Sequence, residues 1–210
     1  MYRTRFEKEL DGMNSDLIRL GGLIEQAIIK SIDALIKQDK NLAEAVIEGD
    51  KEIDRLTTVI ESEALNILLR QQPVASDLRV ISTALKIVTD MERIGKQSGD
   101  ICSIVLHLCD EEYQTKLINI PLMGEKAKKM VNLCINSFVR LDTELAKQVI
   151  DMDNEIDVLF AKVKENMIKL IRNQPEYADQ AIYLMMVAKY LEKIADHAEN
   201  IAQWVIFSAV

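Results

Sequence analysis

A chain of 210 residues, 49% hydrophobic and 29% charged, has the balance of a folded globular protein and excludes a disordered one. Its 34 acidic and 26 basic residues leave a net charge of −8, and no Lys/Arg stripe is gathered to meet a phosphate backbone, which argues against nucleic-acid binding. With only 7 Gly and 3 Pro there is little turn chemistry, so long helices joined by short links are expected.

The first predicted helix covers residues 3–37, where Phe6, Leu10, Met13, Leu17, Leu20, Ile24, Ala27, Ile28, Ser31 and Leu35 fall on one stripe. Asp39 is placed to cap a second helix over 40–70. Its seam is read as Leu42, Val46, Gly49, Ile53, Leu56, Ile60 and Ile67, in steps of three and four. Pro73, which has no N–H to donate, ends it. Ser76 or Asp77 is positioned to cap a third helix over 75–109. Around 110–116 charged residues replace the apolar period, dividing the chain into a first bundle, 1–112, and a second, 113–210. The second half repeats the pattern over 115–140, 143–172 and 176–207, with Asp142 as the matching cap and Pro175 as the matching breaker. Links of two to five residues force consecutive helices antiparallel. The expected fold is all-α, two three-helix bundles in tandem held in a fixed relation by a short junction.

The halves are copies. Residues 39–54 and 142–157 agree at nine of sixteen positions with a constant offset of 103, and Arg70-Gln-Gln-Pro73 recurs as Arg172-Asn-Gln-Pro175. Met91-Glu-Arg-Ile94 recurs as Leu191-Glu-Lys-Ile194. Self-similarity of this length marks a duplicated structural unit.

Each copy carries an acid-x-x-x-acid pattern or its remnant: Asp50/Asp54 and Glu92/Lys96/Asp100, with Lys in the middle place, in the first, and Asp153/Asp157 and Glu192/Asp196 in the second. Residues four apart stack on one face about 5–6 Å apart, a spacing that lets two carboxylates share a cation and is repulsive without one. All four pairs adjoin apolar seam residues, so two acidic pairs on neighbouring helices are expected to meet at the border of each core. Solvation, or pairing with Arg55, Arg93 and Lys193, is the ordinary fate of such acids and stands beside the metal reading. All-oxygen ligation implies Mg, Mn, Ca, Fe or Zn. Lys96 stands where the second half has Asp196, so the first half is expected to neutralise its acids internally.

The remaining features carry less. The longest apolar run, 181–188, is far below the roughly 18–20 residues that span a bilayer. The first ten residues are too charged for a secretory signal. Cys102, Cys109 and Cys134 form no CxxC and read as small core residues of a reducing, cytoplasmic protein. His197 reads as a surface histidine with a lesser chance of ligating, His107 has no assigned role, Trp204 reads as packing, and Met185 and Met186 as core filling. Neither histidine follows a Glu at the third position, which argues against a carboxylate-bridged di-metal oxidase. Nothing has the form of a nucleophile–base pair, a phosphate-binding Gly loop or a Zn-type Cys/His cluster.

Three stretches together resemble one known family: Pro73-x3-Asp77-Leu-Arg79; Asp90-Met-Glu-Arg-Ile-Gly95 with Asp100-Ile101; and Tyr190-Leu-Glu-Lys-Ile-Ala-Asp-His-Ala-Glu-Asn-Ile201. With the duplicated segments, they are similar over essentially the whole chain to the PhoU family of phosphate-transport accessory proteins. The resemblance implies a cytosolic, dimeric or larger non-enzymatic regulator. It would act between the phosphate ABC transporter ATPase and the sensor histidine kinase of the phosphate response, restraining both when phosphate is plentiful. Contact with the membrane would come only through these partners. It also implies metal (Fe, Zn, Mn or Mg, or none in some members) at Asp153, Asp157, Glu192 and Asp196, and at Asp50, Asp54, Glu92 and Asp100. The family pattern has Asp where this chain has Lys96. Asp77 and Arg79 match a family motif and are candidate partner contacts. A metal-binding or purely structural oligomerising bundle is the alternative.

Overall fold

The structure, a computed structural model, describes residues 2–71 and 75–209, with side-chain surroundings for 6–70 and 77–209. Six α-helices follow in order: α1 Tyr2–Lys37, α2 Lys40–Gln71, α3 Ala75–Leu108, α4 Asn119–Arg140, α5 Thr143–Asn173 and α6 Ala178–Ser208, the last entered through a 3-10 turn, Pro175–Tyr177. Among the described residues there is no strand, and no helix is long and apolar enough to cross a membrane. Pro73 lies outside the described residues.

The apolar stripes become the core. Met13, Leu17, Leu20, Ile24, Ile28 and Leu35 of α1 are buried, with Ser31 among them donating to the Ile28 carbonyl. In α2 the buried positions are Ala43, Val46, Ile53, Leu56, Thr57, Ile60, Ala64 and Ile67. Gly49, expected in this seam, is exposed. Steps of three and four from Ala43 and Val46 lead to residue 50 and then 53, so the seam position belongs to Asp50. The same count in α5 runs Ala146, Val149, Asp153, Ile156. Met186, expected inside, is also exposed, because Val187 and Ala188 take the core-facing positions of α6.

The helix ends repeat as well. At the α1–α2 turn Gln38 has φ 52°, and the Asp39 N–H donates to the Ala34 carbonyl at 3.0 Å. At the α4–α5 turn Leu141 has φ 52°, and the Asp142 N–H donates to Ser137 at 2.8 Å. Both are left-handed C-terminal closures made without glycine. Each is followed by the expected cap: Asp39 Oδ1 accepts from the Leu42 N–H at 3.0 Å, and Asp142 Oδ1 from Glu144 at 3.0 Å and Leu145 at 3.1 Å. The side chain of Ser76 lies outside the described residues, and Asp77 is not the residue before α3, because the helix already begins at Ala75. Asp77 lies inside the first turn, where its charge favours the positive end of the helix.

The fourth helix starts at Asn119, not at 115, and the α3–α4 link is longer than a two- to five-residue turn. Pro121 explains this: it has no N–H for the Leu117 carbonyl, so the helical ladder cannot extend upstream of the first turn. The link is nevertheless tied down. Tyr113 Oη donates to the Leu35 carbonyl at 2.7 Å, and the Gln180 side chain accepts from the Gln114 N–H at 2.8 Å and donates to the Glu112 carbonyl at 3.0 Å.

The α1–α3 bundle meets the α4–α6 bundle through α1 against α4 and α3 against α6. Both contacts are antiparallel and related by the duplication. Gly21 of α1 accepts Ile135 of α4, and Gly124 of α4 accepts Ile32 of α1. Along α3 and α6, His107 stacks on Tyr183 with centroids 5.4 Å apart, Asp90 meets His197, and Lys86 lies 5.9 Å over the Trp204 ring. Cys102 and Cys134 are buried and Cys109 half-buried, and burial raises all three thiols.

Candidate functional site

The four expected acidic pairs meet in two places, one per bundle, where α2 borders α3 and α5 borders α6. In the first, Asp50 is half-buried because it fills a seam position, and its Oδ1 is enclosed without a hydrogen-bond partner. Gly95 explains how close the helices come: a Cβ there would stand 3.0 Å from Ile53 Cγ2 and 3.5 Å from Asp50 Oδ1. Desolvation, and after it Asp54, raises the Asp50 carboxyl above its ordinary range, with Lys96 pulling the other way. Lys96 is ion-paired with Glu92 and lies 3.9 Å from Asp54 Oδ1. Asp100, further along α3, is raised by desolvation and drawn down by Lys193 of α6.

The second bundle gathers Asp153, Asp157, Glu192 and Asp196, and adds Glu199. Asp153 Oδ1, like its counterpart on Asp50, is enclosed without a partner. Its carboxyl is pushed up to about 6, first by burial and then by Glu199, Asp157, Asp196 and Glu192, all anionic. Asp196 is raised too, by burial and then by Glu192. Lys189 pairs with Glu192 and also acts on Asp196, and among the described residues no lysine is ion-paired with Asp153 or Asp157, whereas Lys96 reaches both Glu92 and Asp54 in the first bundle. Glu199 was not anticipated from the sequence, although it lies three residues beyond Asp196 and seven beyond Glu192, on one face of α6.

Among the described residues no three Asp, Glu, His or Cys side chains close into a finished cage around one point. The donor set of the second bundle, carboxylates only with an enclosed and unpartnered oxygen at its centre, is of the kind that hard, oxygen-seeking cations take. His197 is not turned to that group. Its Nδ1 lies 2.9 Å from Oδ1 of Asp90, which is only 7% exposed, so it pins α6 to α3. Neither a surface role nor a ligand role describes it. His107 is exposed and engaged by Tyr183, and Trp204 packs edge-on to Phe207 at 5.9 Å. Asp77 is half-buried and Arg79 exposed at the start of α3, remote in sequence from both acidic faces.

Fold and faces together define a class: a duplicated three-helix-bundle protein whose halves present acidic helix faces at their rims. The PhoU domain model matches residues 17–105 and 120–205, one copy per bundle. The phosphate-specific transport system accessory protein PhoU homolog of Clostridium acetobutylicum is 33% identical over 99% of this chain and 95% of its own length. The protein of the same description from Aquifex aeolicus is 38% identical over 89% of this chain and 84% of its own. The crystal structure of PhoU from Pseudomonas aeruginosa superposes with a TM-score of 0.93 at 32% identity, covering 97% of this chain and 98% of that one. The chain belongs to the PhoU family, and these relatives are described as accessory proteins of the phosphate-specific transport system.

Proposed function

We propose that this protein is a cytoplasmic, non-enzymatic adaptor that restrains the phosphate-starvation response, acting between the phosphate ABC transporter ATPase and its sensor histidine kinase. Family membership over nearly the whole chain supports the setting. The observation that carries the mechanism is the second-bundle face, whose carboxylates raise one another and have, among the described residues, no ion-paired cation beyond Lys189 on Glu192. Asp153, Asp157, Glu192 and Asp196, joined by Glu199, would hold the cation, with Mn, Fe, Mg or Zn the candidates. When bound, such an ion supplies positive charge that turns a self-repelling surface into one able to accept a partner's acidic group. The corresponding first-bundle residues are Asp50, Asp54, Glu92 and Asp100. Asp77 and the exposed guanidinium of Arg79 offer a separate contact at the start of α3. A homodimer is the expected working form.

The reading is tested by co-purification from cells in high phosphate, with Asp77→Ala/Arg79→Ala as the contact variant. Wild-type protein is expected to retain the ATPase or the kinase, and the variant to lose at least one of them. Absence of both partners from the wild-type sample, with Mn2+ and phosphate present, removes the adaptor reading. It leaves the structural oligomerising bundle.

A further inference from the structure

We propose that residues 96 and 99, against 196 and 199, decide which bundle takes up a cation: Lys96 and Gly99 close the first acidic face to metal, and Asp196 and Glu199 open the second. This rests on the cation reading of the second bundle given above.

The duplication makes the comparison a controlled one. Asp50, Asp54 and Glu92 correspond to Asp153, Asp157 and Glu192 without change of residue type. Enclosure is conserved as well, since Oδ1 of both Asp50 and Asp153 is buried and unpartnered. The copies diverge where Lys96 meets Asp196 and Gly99 meets Glu199, a swing from an ammonium and no side chain to two carboxylates. Asp100, against Asn200, returns one acid to the first face, but Lys193 draws on it.

In the first bundle the positive charge is supplied from within. The Lys96 ammonium is paired with Glu92, stands 3.9 Å from Asp54 and acts on Asp50. A tethered counter-ion is present at high effective concentration, so a free cation must compete with it at every encounter. Arg93 lines the same open cavity of about 410 Å³, together with Asp50, Lys96, Gln97, Gly99 and Asp100. In the second bundle Lys189 pairs with Glu192 and also acts on Asp196, but among the described residues no lysine is paired with Asp153, Asp157 or Glu199. Asp153 there is surrounded by four acids, Glu199 being the strongest neighbour. Lys189 offsets one of these carboxylates, and the negative charge that remains on that face has to be balanced from solution.

Gly99 matters as much as Lys96. A Cβ built on it meets nothing within 4 Å, and its backbone is ordinary helix, so a side chain can be added there without strain. The cavity beside it has room for the carboxylate that Glu199 supplies in the other copy.

The test uses the full chain, stripped with chelator, reloaded with Mn2+, desalted, and analysed for bound metal by mass spectrometry. Circular dichroism and the thermal midpoint with and without Mn2+ serve as the fold control and second readout. Wild type is expected to carry Mn, and Asp153→Asn/Asp157→Asn to lose at least tenfold of it. Adding Lys96→Asp and Gly99→Glu to that double variant is expected to restore Mn to near the wild-type level. Adding Lys96→Ala alone, the gentler change, restores part of it. If the Asp153/Asp157 variant keeps half or more of the wild-type metal, the first face is a site as it stands and the proposal falls. It falls equally if neither position 96 variant gains metal while staying helical. Metal on wild type with these failures leaves the cation reading intact; no metal on any of the four proteins removes both.

Discussion

Replacing Gly124 by Ala is expected to destabilise the protein, although the same change elsewhere in these helices should strengthen it. A Cβ on Gly124 would stand 2.7 Å from Ile32 Cγ1 and 3.2 Å from its Cδ1, well inside the roughly 3.5–4.0 Å at which carbon atoms attract. Cγ1 is the first atom beyond a branched Cβ that is itself 3.7 Å away, so it cannot swing clear without the side chain leaving its favoured rotamer or α1 backing away from α4. Alanine gains about 0.8–1.0 kcal/mol of helix propensity over glycine. Overpacking a close contact costs about 1–3 kcal/mol. The net expectation is a loss of about 1 kcal/mol. Gly22→Ala is the control: it is an exposed position in α1, its Cβ meets nothing within 4 Å, and it should gain about 0.5–1 kcal/mol. Urea denaturation followed by far-UV circular dichroism measures both. In an Ile32→Ala background the obstructing atoms are gone, and Gly124→Ala should become stabilising, a coupling of about 1–3 kcal/mol. Equal gains for Gly124→Ala and Gly22→Ala, with no coupling to Ile32, would refute the claim that this glycine is there to let the bundles approach.

Stability of the chelator-treated protein should fall as pH rises from about 4 toward 6. The native Asp153 carboxyl, at about 6, keeps a proton that the unfolded chain, with an ordinary carboxyl near 3.9, has released. Asp50, Asp100 and Asp196 are shifted in the same direction. Asp153→Asn should therefore stabilise the metal-free protein at pH 7.5, by at most about 3 kcal/mol and by about half that after solvent screening, with the gain vanishing near pH 4. A gain of equal size at both pH values in urea titrations would sink this account. Asp142→Ala removes the acceptor of two N–H groups and should cost about 1 kcal/mol by the same assay, and Asp39→Ala a similar amount. His197→Ala strands the buried Asp90 and should cost about 2–3 kcal/mol, whereas Asp90→Asn keeps a hydrogen-bonding group and should cost less; equal losses would show that the pair acts through packing alone.

Much of the fold was legible because bundle packing is written in a local code. Apolar steps of three and four identify most of the buried stripes of α1 and α2, and Asp39 and Asp142 identify two helix starts, since capping involves only the residues within one turn. The misreadings have equally definite causes. Gly49 was placed in the α2 seam because an aspartate was not expected there, yet Asp50 takes the position and Asp153 repeats it. The start of α4 was placed too early because the charged 110–118 segment has no sharp stop signal, and Pro121 acts backward on the turn before it.

The acidic faces were legible as pairs on single helices, and Lys96 as the odd residue among them. What the sequence by itself determined is the number of helices, the caps of α2 and α5, the duplication and the charge that each half carries at its rim, most of them properties of residues near one another along the chain. Only the tertiary structure decided the rest. Glu199 joins Asp153 because α5 and α6 pack in one register, His197 answers Asp90 because α3 and α6 run antiparallel, and Gly21 and Gly124 are needed because α1 and α4 touch there. The physical reason is common to all three: a partner on another helix is chosen by the phase and separation of two rigid rods, and neither quantity is recorded in the periodicity of either one.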